Sequence, residues 1–436
     1  MPRADVAVVG AGLSGLTAAL TLADAGARVH VIATGHAATH WAPGGIDAGA
    51  IPGAGTPAEA VARLAAVPGH PYWILAGALP DAIDWLRAIL AEEGLVYSGA
   101  LDDPIRMMPT AIGSTRPVAI LPDGMSAALG EWAPDERLVV CGPAGFRDFW
   151  PDAIAASLRR SGSWRDAEPP TRVDAAVVDL PGLSGRHNLS GLDIARAFDE
   201  PRWRDAALDL IAAALRQGGR GPGRVALPAV LGLEDHTAVL AAARERLPLA
   251  PFEVPLAPPS VPGLRLYHAL RSALLRRGGR IQIGETAHGH LGPDGRVDNI
   301  AAPAAAREFV LSVDGVILAT GGIGGGGIVA EDGGTLVEMV LGLPVEGPAA
   351  GDWLMRDPFE GPGHPIETAG IRTDATLRPV APGGAGPALA SNVRIVGSLL
   401  AGQRYVREHC GDGVAIASGR VAALAFLGER AAGSGS

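Results

Sequence analysis

Three glycines at fixed spacing stand near the start of the chain, in Val6-Ala-Val-Val-Gly10-Ala-Gly12-Leu13-Ser14-Gly15. Gly10 permits a tight turn, Gly12 lets backbone approach a pyrophosphate, and Gly15 lets a helix pack closely on a strand. His70 and His409 are candidate proton acceptors for an alcohol whose carbon gives up hydride, because imidazole titrates near working pH. For His70 the plainer alternative is a residue that orders the turn before Pro71. Arg116, Arg265, Arg378 and Arg404 could hold a phosphate or carboxylate through forked, charge-assisted hydrogen bonds. The chain has no lysine, so all 36 of its Lys+Arg cations are arginine, and many of these must be surface or ion-paired groups. Schiff-base chemistry on lysine is thereby excluded. Cys410 is either a redox-active thiol at a helix start or a small packed residue, and packing is the commoner use of a lone cysteine.

The elements that must position these residues follow from periodicity. An apolar strand runs into the glycine turn, an alanine-rich helix covers Leu16 to Ala25, and a second strand covers Arg28 to Ile32. The helix N-terminus then faces the phosphates of a dinucleotide. The acidic residue that usually follows the second strand to hold ribose is missing, since Val31-Ile32 leads into Ala33-Thr34-Gly35 and the next acid is Asp47. Thr34 or backbone is expected in its place, and the loop alone leaves nicotinamide and flavin cofactors open. Helices are expected over Leu79 to Glu93, Ala206 to Arg216 and Leu264 to Arg277, and strands over Val173 to Leu180, Arg224 to Leu227 and Arg280 to Ile283. A strand pair is expected over Phe309 to Ala319, ending in Ala319-Thr320-Gly321-Gly322. Asn392 to Val396 reads as a last strand, and Gly411-Asp-Gly413-Val414 opens a helix to about Ala425. The middle of the chain, with its proline-rich Pro255 to Pro262, does not read as a continued doubly wound sheet.

With 436 residues and 48% hydrophobic content the chain can bury a large core. A net charge of -10 gives no general attraction to nucleic acid or an anionic membrane. Cys141 and Cys410 form no Cys-x-x-Cys pair, so neither an iron–sulfur cluster nor a cysteine zinc site is expected within the chain, and no metal site is assigned. A reducing, cytoplasmic setting fits two isolated cysteines. The apolar N-terminal run is expected to be fold rather than a signal peptide, and no transmembrane segment is expected.

The glycine loop, the Ile317-Leu-Ala-Thr-Gly321 strand end and the late strand followed by a glycine-started helix together resemble two-domain flavoproteins of the glutathione reductase class. Further strings extend the likeness over nearly the whole chain: His70-Pro-Tyr72, Pro109-Thr-Ala-Ile-Gly113-Ser-Thr-Arg116, Gly145-Phe-Arg-Asp148-Phe149, Pro258 to Leu266, Gly370-Ile-Arg-Thr373-Asp374-Ala-Thr-Leu-Arg378-Pro379, Val396-Gly397-Ser398 and Cys410-Gly-Asp-Gly413-Val414. On these the chain resembles the family of anaerobic glycerol-3-phosphate dehydrogenase B subunits. It departs from that family at Arg404-Tyr405, where Asp-Pro is usual, and at Asp412, where a third glycine is usual.

The resemblance implies an α/β fold, a Rossmann-like FAD-binding domain of glutathione reductase type interrupted by a mixed α+β substrate or cap domain. The expected partition is 1–60, 263–328 and 376–430 for the FAD domain and 61–262 and 329–375 for the cap. FAD is expected from the pyrophosphate loop, with FMN as second choice. It is expected to be non-covalent, because His40-Trp41 lacks the spacing to Gly44-Gly45 that a covalent link would need. Cofactor contacts are expected from Gly10, Gly12, Leu13, Ser14, Gly15, Thr34, Gly44, Gly45, Ala319, Thr320, Gly321, Gly397, Gly411, Gly413 and Val414, and catalytic contacts from His70, Arg116, Arg378 and His409. The implied reaction oxidises sn-glycerol 3-phosphate to dihydroxyacetone phosphate with electrons passed to quinone. The implied partners are a second flavoprotein subunit and an iron–sulfur, membrane-anchoring subunit. Two alternatives stay open: an electron relay or scaffold, and a stand-alone flavoprotein acting on another hydroxy or unsaturated acid, the latter motivated by Pro43-Gly44-Gly45-Ile46.

Overall fold

The computed structural model describes residues 2–434 apart from 36, 130–131, 134, 162–171, 184, 187, 220, 304–308, 358–360 and 362. The chain forms two compact units. The first comprises Met1–Ala38, Asp47–Glu93 and Ala269–Ser436, and the second Thr39–Ile46 and Gly94–His268. By compactness, residues 61–93 and 329–375 therefore group with the nucleotide-loop segment, whereas the sequence assigns them to a cap.

The first unit is built on a seven-stranded sheet. Its elements are β1 (Arg3–Val9), α1 (Leu13–Asp24), β2 (Val29–Ala33), α2 (Leu79–Glu92), β3 (Arg280–Ile283), β4 (His288–Gly289), β5 (Asn299–Ala302), β6 (Phe309–Leu318), β7 (Val393–Ile395) and α3 (Gly411–Ser434). The strand order is β3-β2-β1-β6-β5-β4, with β7 also on β6. β3, β2, β1 and β6 run parallel, as do β6 and β7. β1 is buried from Ala4 to Val9, which explains its apolar run Val6 to Val9: a parallel strand covered on both faces has no side to leave polar, and the one buried charge, Asp5, is paired with Arg28 and Arg430. The chain leaves β1 toward β2 on one side and meets β6 on the other, so the strand order reverses at β1. Ligands of open α/β sheets bind beyond the carboxyl ends of the strands at such a point.

Phe309 to Ala319 is one strand rather than the expected pair. β6 changes partner along its length: Phe309 to Ser312 pair antiparallel with β5, and Val316 to Leu318 pair parallel with β7. Helix α1 is buried from Leu13 to Ala23 and packs along α3, where Gly419 leaves room for the Ser14 carbonyl and for Thr17. The segment Gly411–Ala432 is long and apolar enough to cross a membrane by length and composition alone, a test that a buried core helix also passes. In the first unit that stretch is partly buried and serves as a core helix against α1.

The second unit carries its own parallel sheet, in the order Ala250–Val254, Gly223–Pro228, Arg137–Pro143, Arg172–Val178. The helices Pro151–Ser161, Gly191–Asp199, Pro201–Gln217 and His236–Arg246 connect these strands. Two short antiparallel pairs, Tyr97–Ser98 with Leu121–Pro122 and Arg106–Pro109 with Thr115–Val118, make the unit mixed. At the carboxyl ends of this sheet Cys141, Phe198, Leu227 and Pro228 help line a cavity of about 10 Å³, at most one water in size.

Candidate functional site

The turn between β1 and α1 is shaped by what its glycines exclude. Gly10 has φ +114, and a Cβ there would strike the Ala319 carbonyl, lying 2.6 Å from its carbon and 3.1 Å from the Thr320 nitrogen. A Cβ on Gly15 would strike the Gly10 carbonyl oxygen and lie 3.1 Å from the Ala319 Cβ. Gly12 differs. Its φ is -79, and among the described residues a Cβ there would meet only the Ala37 Cβ at 3.6 Å, an ordinary contact. Among the described residues no neighbour demands glycine at 12, and its bare backbone leaves room for a ligand to approach. Gly12 caps α1 without a side-chain hydrogen bond, and the first turn carries no acid. The free N–H groups and positive end of α1 are therefore available to an anion. These features fit the pyrophosphate of a dinucleotide.

The neighbouring strand ends are held by protein contacts. Gly321 has φ +79 and Gly397 φ +68, and a Cβ on Gly397 would lie 2.5 Å from Ser14 Oγ. Gly397 N–H donates to Ser418 Oγ at 2.9 Å, and Gln403 Nε2 donates to the Gly397 carbonyl at 3.0 Å. Ser398 Oγ accepts from Gly322 N–H at 3.2 Å. Among the described residues Thr320 Oγ1 is buried without a partner. Where the ribose acid is missing, Thr34 stands exposed at the end of β2, its Oγ1 3.5 Å from Thr286 Oγ1. Thr286 was not legible as a site residue, because nothing in the sequence tells that β3 pairs with β2.

The start of α3 is tied to the segment after Asp47. Gly413 N–H donates to the Asp47 carbonyl at 2.9 Å, Asp412 Oδ2 accepts from Asp47 N–H at 3.1 Å, and Val414 N–H donates to the Cys410 carbonyl at 2.9 Å. Gly413 also makes room for the Tyr72 hydroxyl and the Ala48 Cα, and Gly411 for the Tyr405 Cβ. The Gly413 and Val414 amides, expected at a cofactor, thus already have protein acceptors. The Tyr72 hydroxyl donates to the Ala48 carbonyl at 2.5 Å, and its burial pushes the phenol well above its usual range.

His70 belongs to this network, and the geometry corrects its reading as a proton acceptor. Its side chain is 1% exposed, its Nδ1 accepts the Tyr72 N–H at 3.0 Å, and its Nε2 lies 3.2 Å from Glu408 Oε2. With Nδ1 accepting, Nε2 carries the ring proton and donates it to the carboxylate, so neither nitrogen is open to a substrate. Glu408 Oε2 also accepts the Arg404 N–H at 2.7 Å and the Cys410 thiol at 3.4 Å. Burial pushes the Glu408 carboxyl up, but these donors outweigh it and hold it below its usual value. Burial and the Glu408 charge push the Cys410 thiol well up, which supports packing over redox reactivity. His70, Glu408 and Cys410 each offer a ligand atom within 4.8 Å of the others. A metal on His70 Nε2 would need the ring proton on Nδ1, which the Tyr72 N–H opposes. Among the described residues the trio is thus a hydrogen-bonded one.

The other expected residues are dispersed. His409, at φ +47, places Nδ1 3.9 Å from Asp47 Oδ2 and is a third exposed. Arg378 Nε donates to Asp374 Oδ2 at 2.8 Å within the turn Thr373 to Arg378. The remainder lie in the second unit. Arg116 sits opposite Met108 in the hairpin. Gly44, at φ +88, faces Pro262 and accepts the Tyr97 hydroxyl at 2.7 Å, while Gly45 faces Leu121. Arg265 is not an anion site: it is 5% exposed and doubly bonded to the fully buried Glu253, at 2.6 and 3.0 Å. Burial pushes the Glu253 carboxyl up, but Arg265 and His236 bring it below its usual value.

A parallel sheet reversing at a glycine turn, an uncapped helix facing that turn and a return strand whose end abuts Gly10 define a dinucleotide-binding flavoprotein fold. The model of the FAD binding domain family matches residues 5–414. The chain belongs to that family and, within it, to the anaerobic glycerol-3-phosphate dehydrogenase B subunits. A probable member from Halobacterium salinarum is 32% identical over 97% of both chains. The corresponding protein of Vibrio vulnificus is 28% identical over 98% of this chain and 97% of its own. A 3-ketosteroid Δ1-dehydrogenase from Sterolibacterium denitrificans shares 12% identity over 98% of this chain and 100% of its own, with a TM-score of 0.47. The chain is a flavoprotein of the FAD-dependent oxidoreductase class, and its cofactor is FAD.

Proposed function

We propose that this chain is the flavin-bearing subunit of a dehydrogenase that oxidises sn-glycerol 3-phosphate to dihydroxyacetone phosphate and sends the electrons toward quinone. The carrying observation is the 32% identity over 97% of both chains to a protein named for glycerol-3-phosphate dehydrogenation. On this reading the partners are a second flavoprotein subunit and an iron–sulfur subunit that anchors the assembly at the inner face of the cell membrane.

On this reading the α1 amides and Gly12 would hold the pyrophosphate, Thr34 would contact the ribose, and the start of α3 would stabilise charge on the flavin. Bound FAD supplies the hydride acceptor. The chain's own contribution to proton transfer falls to His409: its Nδ1 faces the Asp47 carboxylate, which leaves Nε2 to take the hydroxyl proton. Arg378 and Arg116 are the candidates for the substrate phosphate. Anaerobic addition of glycerol 3-phosphate to the purified FAD-bound chain tests the assignment, with bleaching of the flavin as the expected result.

One observation favours a second reading. His70 is closed at both nitrogens, Arg265 is committed to Glu253 and Arg378 bonds Asp374. Such commitments suit a subunit that relays electrons while a partner binds the substrate. Arg116→Ala and His409→Ala variants that keep full turnover in the assembled complex would favour it.

A further inference from the structure

The sheet order supplies the acid that the sequence lacks after β2. β3 pairs parallel with β2 at its outer edge, from Arg280 opposite His30 to Ile283 opposite Ala33, so the two strands end side by side at the same face. The chain turns there at Gly284, with φ +102, and both Gly284 and Glu285 N–H groups donate to the Ala33 carbonyl, at 2.9 and 3.2 Å. Glu285 is thus fixed by backbone to the last residue of β2, next to the position where a ribose-binding carboxylate ordinarily sits. The following residue, Thr286, places its hydroxyl 3.5 Å from that of Thr34. Glu285 is half-buried, and among the described residues its carboxylate has no hydrogen-bond or ion-pair partner.

We propose that Glu285, with the hydroxyls of Thr34 and Thr286, holds the adenosine ribose of FAD, so that a carboxylate from the adjacent strand does what the residue after β2 does elsewhere. Two vicinal ribose hydroxyls are donors, and a carboxylate accepts both in charge-assisted bonds. Hydroxyls of Thr34 and Thr286 can donate or accept around them. A ligand without the adenosine half, such as FMN, makes none of these contacts, so the trio also selects FAD over FMN. The proposal rests on FAD lying across the β1–α1 turn.

The test uses the full chain stripped of flavin and titrated with FAD and separately with FMN, following flavin fluorescence. Glu285→Gln and Thr286→Ala are expected to weaken FAD about ten-fold or more, the scale of one hydrogen bond to a charged group, and to leave FMN affinity unchanged. Glu285→Asp is expected to recover part of the loss, and its retained charge keeps the test open if Glu285→Gln fails to fold. Unchanged FAD affinity in the Glu285 variants, or equal weakening of FAD and FMN, overturns the proposal. Gly12→Ala separates the two layers: if it loses FAD while the Glu285 variants do not, the placement stands and the ribose assignment falls. If neither substitution affects FAD, the placement itself is wrong and the assignment falls with it.

Discussion

Gly10 and Gly12 differ in who requires them, and a pair of alanine substitutions separates fold from ligand. At Gly12 an added Cβ meets, among the described residues, only the Ala37 Cβ at 3.6 Å, and φ -79 with ψ -177 is open to alanine. The cost to the apoprotein is the weaker N-cap alone, about 0.5–1 kcal/mol. At Gly10 alanine must adopt φ +114, about 1–3 kcal/mol of strain, and its Cβ must displace the Ala319 backbone, about 1–3 kcal/mol more. The sum, about 2–6 kcal/mol, is a large part of the ~5–15 kcal/mol that holds a typical domain folded. Denaturant unfolding of flavin-free protein should therefore show Gly12→Ala near wild type and Gly10→Ala strongly destabilised. FAD titration should show Gly12→Ala weakened at least ten-fold, since a methyl group then stands where the pyrophosphate approaches. Wild-type FAD affinity in Gly12→Ala would refute the reasoning, as would an apoprotein as unstable as Gly10→Ala.

Three further outcomes are expected. Arg265→Met should cost about 3–5 kcal/mol in denaturant unfolding, because the fully buried Glu253 loses its partner; adding Glu253→Gln should restore most of it, and a double variant no better than the single one would contradict this. Burial raises the Asp5 carboxyl, but hydrogen bonds from Arg28 and Arg430 bring it down to about 2 from 3.8. Its contribution, on the order of 1 kcal/mol, is present above pH 4 and lost as pH falls toward 2; Asp5→Asn should be less stable at neutral pH and lose less across that window. Burial raises the Cys141 thiol to about 12 and the Cys410 thiol well above its usual range, so mass spectrometry of native protein after alkylation at pH 8 should find both largely unmodified until the chain unfolds.

What the sequence made legible were features enforced locally. The nucleotide turn was readable because strand, turn and helix adjoin, and Arg280 to Ile283 was placed to the residue because Gly278-Gly279 stop the preceding helix. The strands Arg137–Pro143 and Ala250–Val254 were missed, since each carries a proline that argues against a strand. β6 looked like two strands because its polar half pairs with β5 and its apolar half lies in the buried parallel sheet. The role of His70 was hidden because Glu408 lies 338 residues away. Arg265 looked like an anion site because no periodicity tells that Glu253, on another element, faces it in the core. On the ribose side the sequence offered only Thr34 or backbone, for a topological reason: Glu285 and Thr286 reach the end of β2 only through the pairing of β3.

The most direct test of the account is anaerobic titration of the purified chain, its cofactor released from a parallel sample and weighed. The account predicts bound FAD whose visible absorbance bleaches on addition of glycerol 3-phosphate. FAD that stays oxidised with this substrate, in the isolated chain and in the assembled complex, would contradict it.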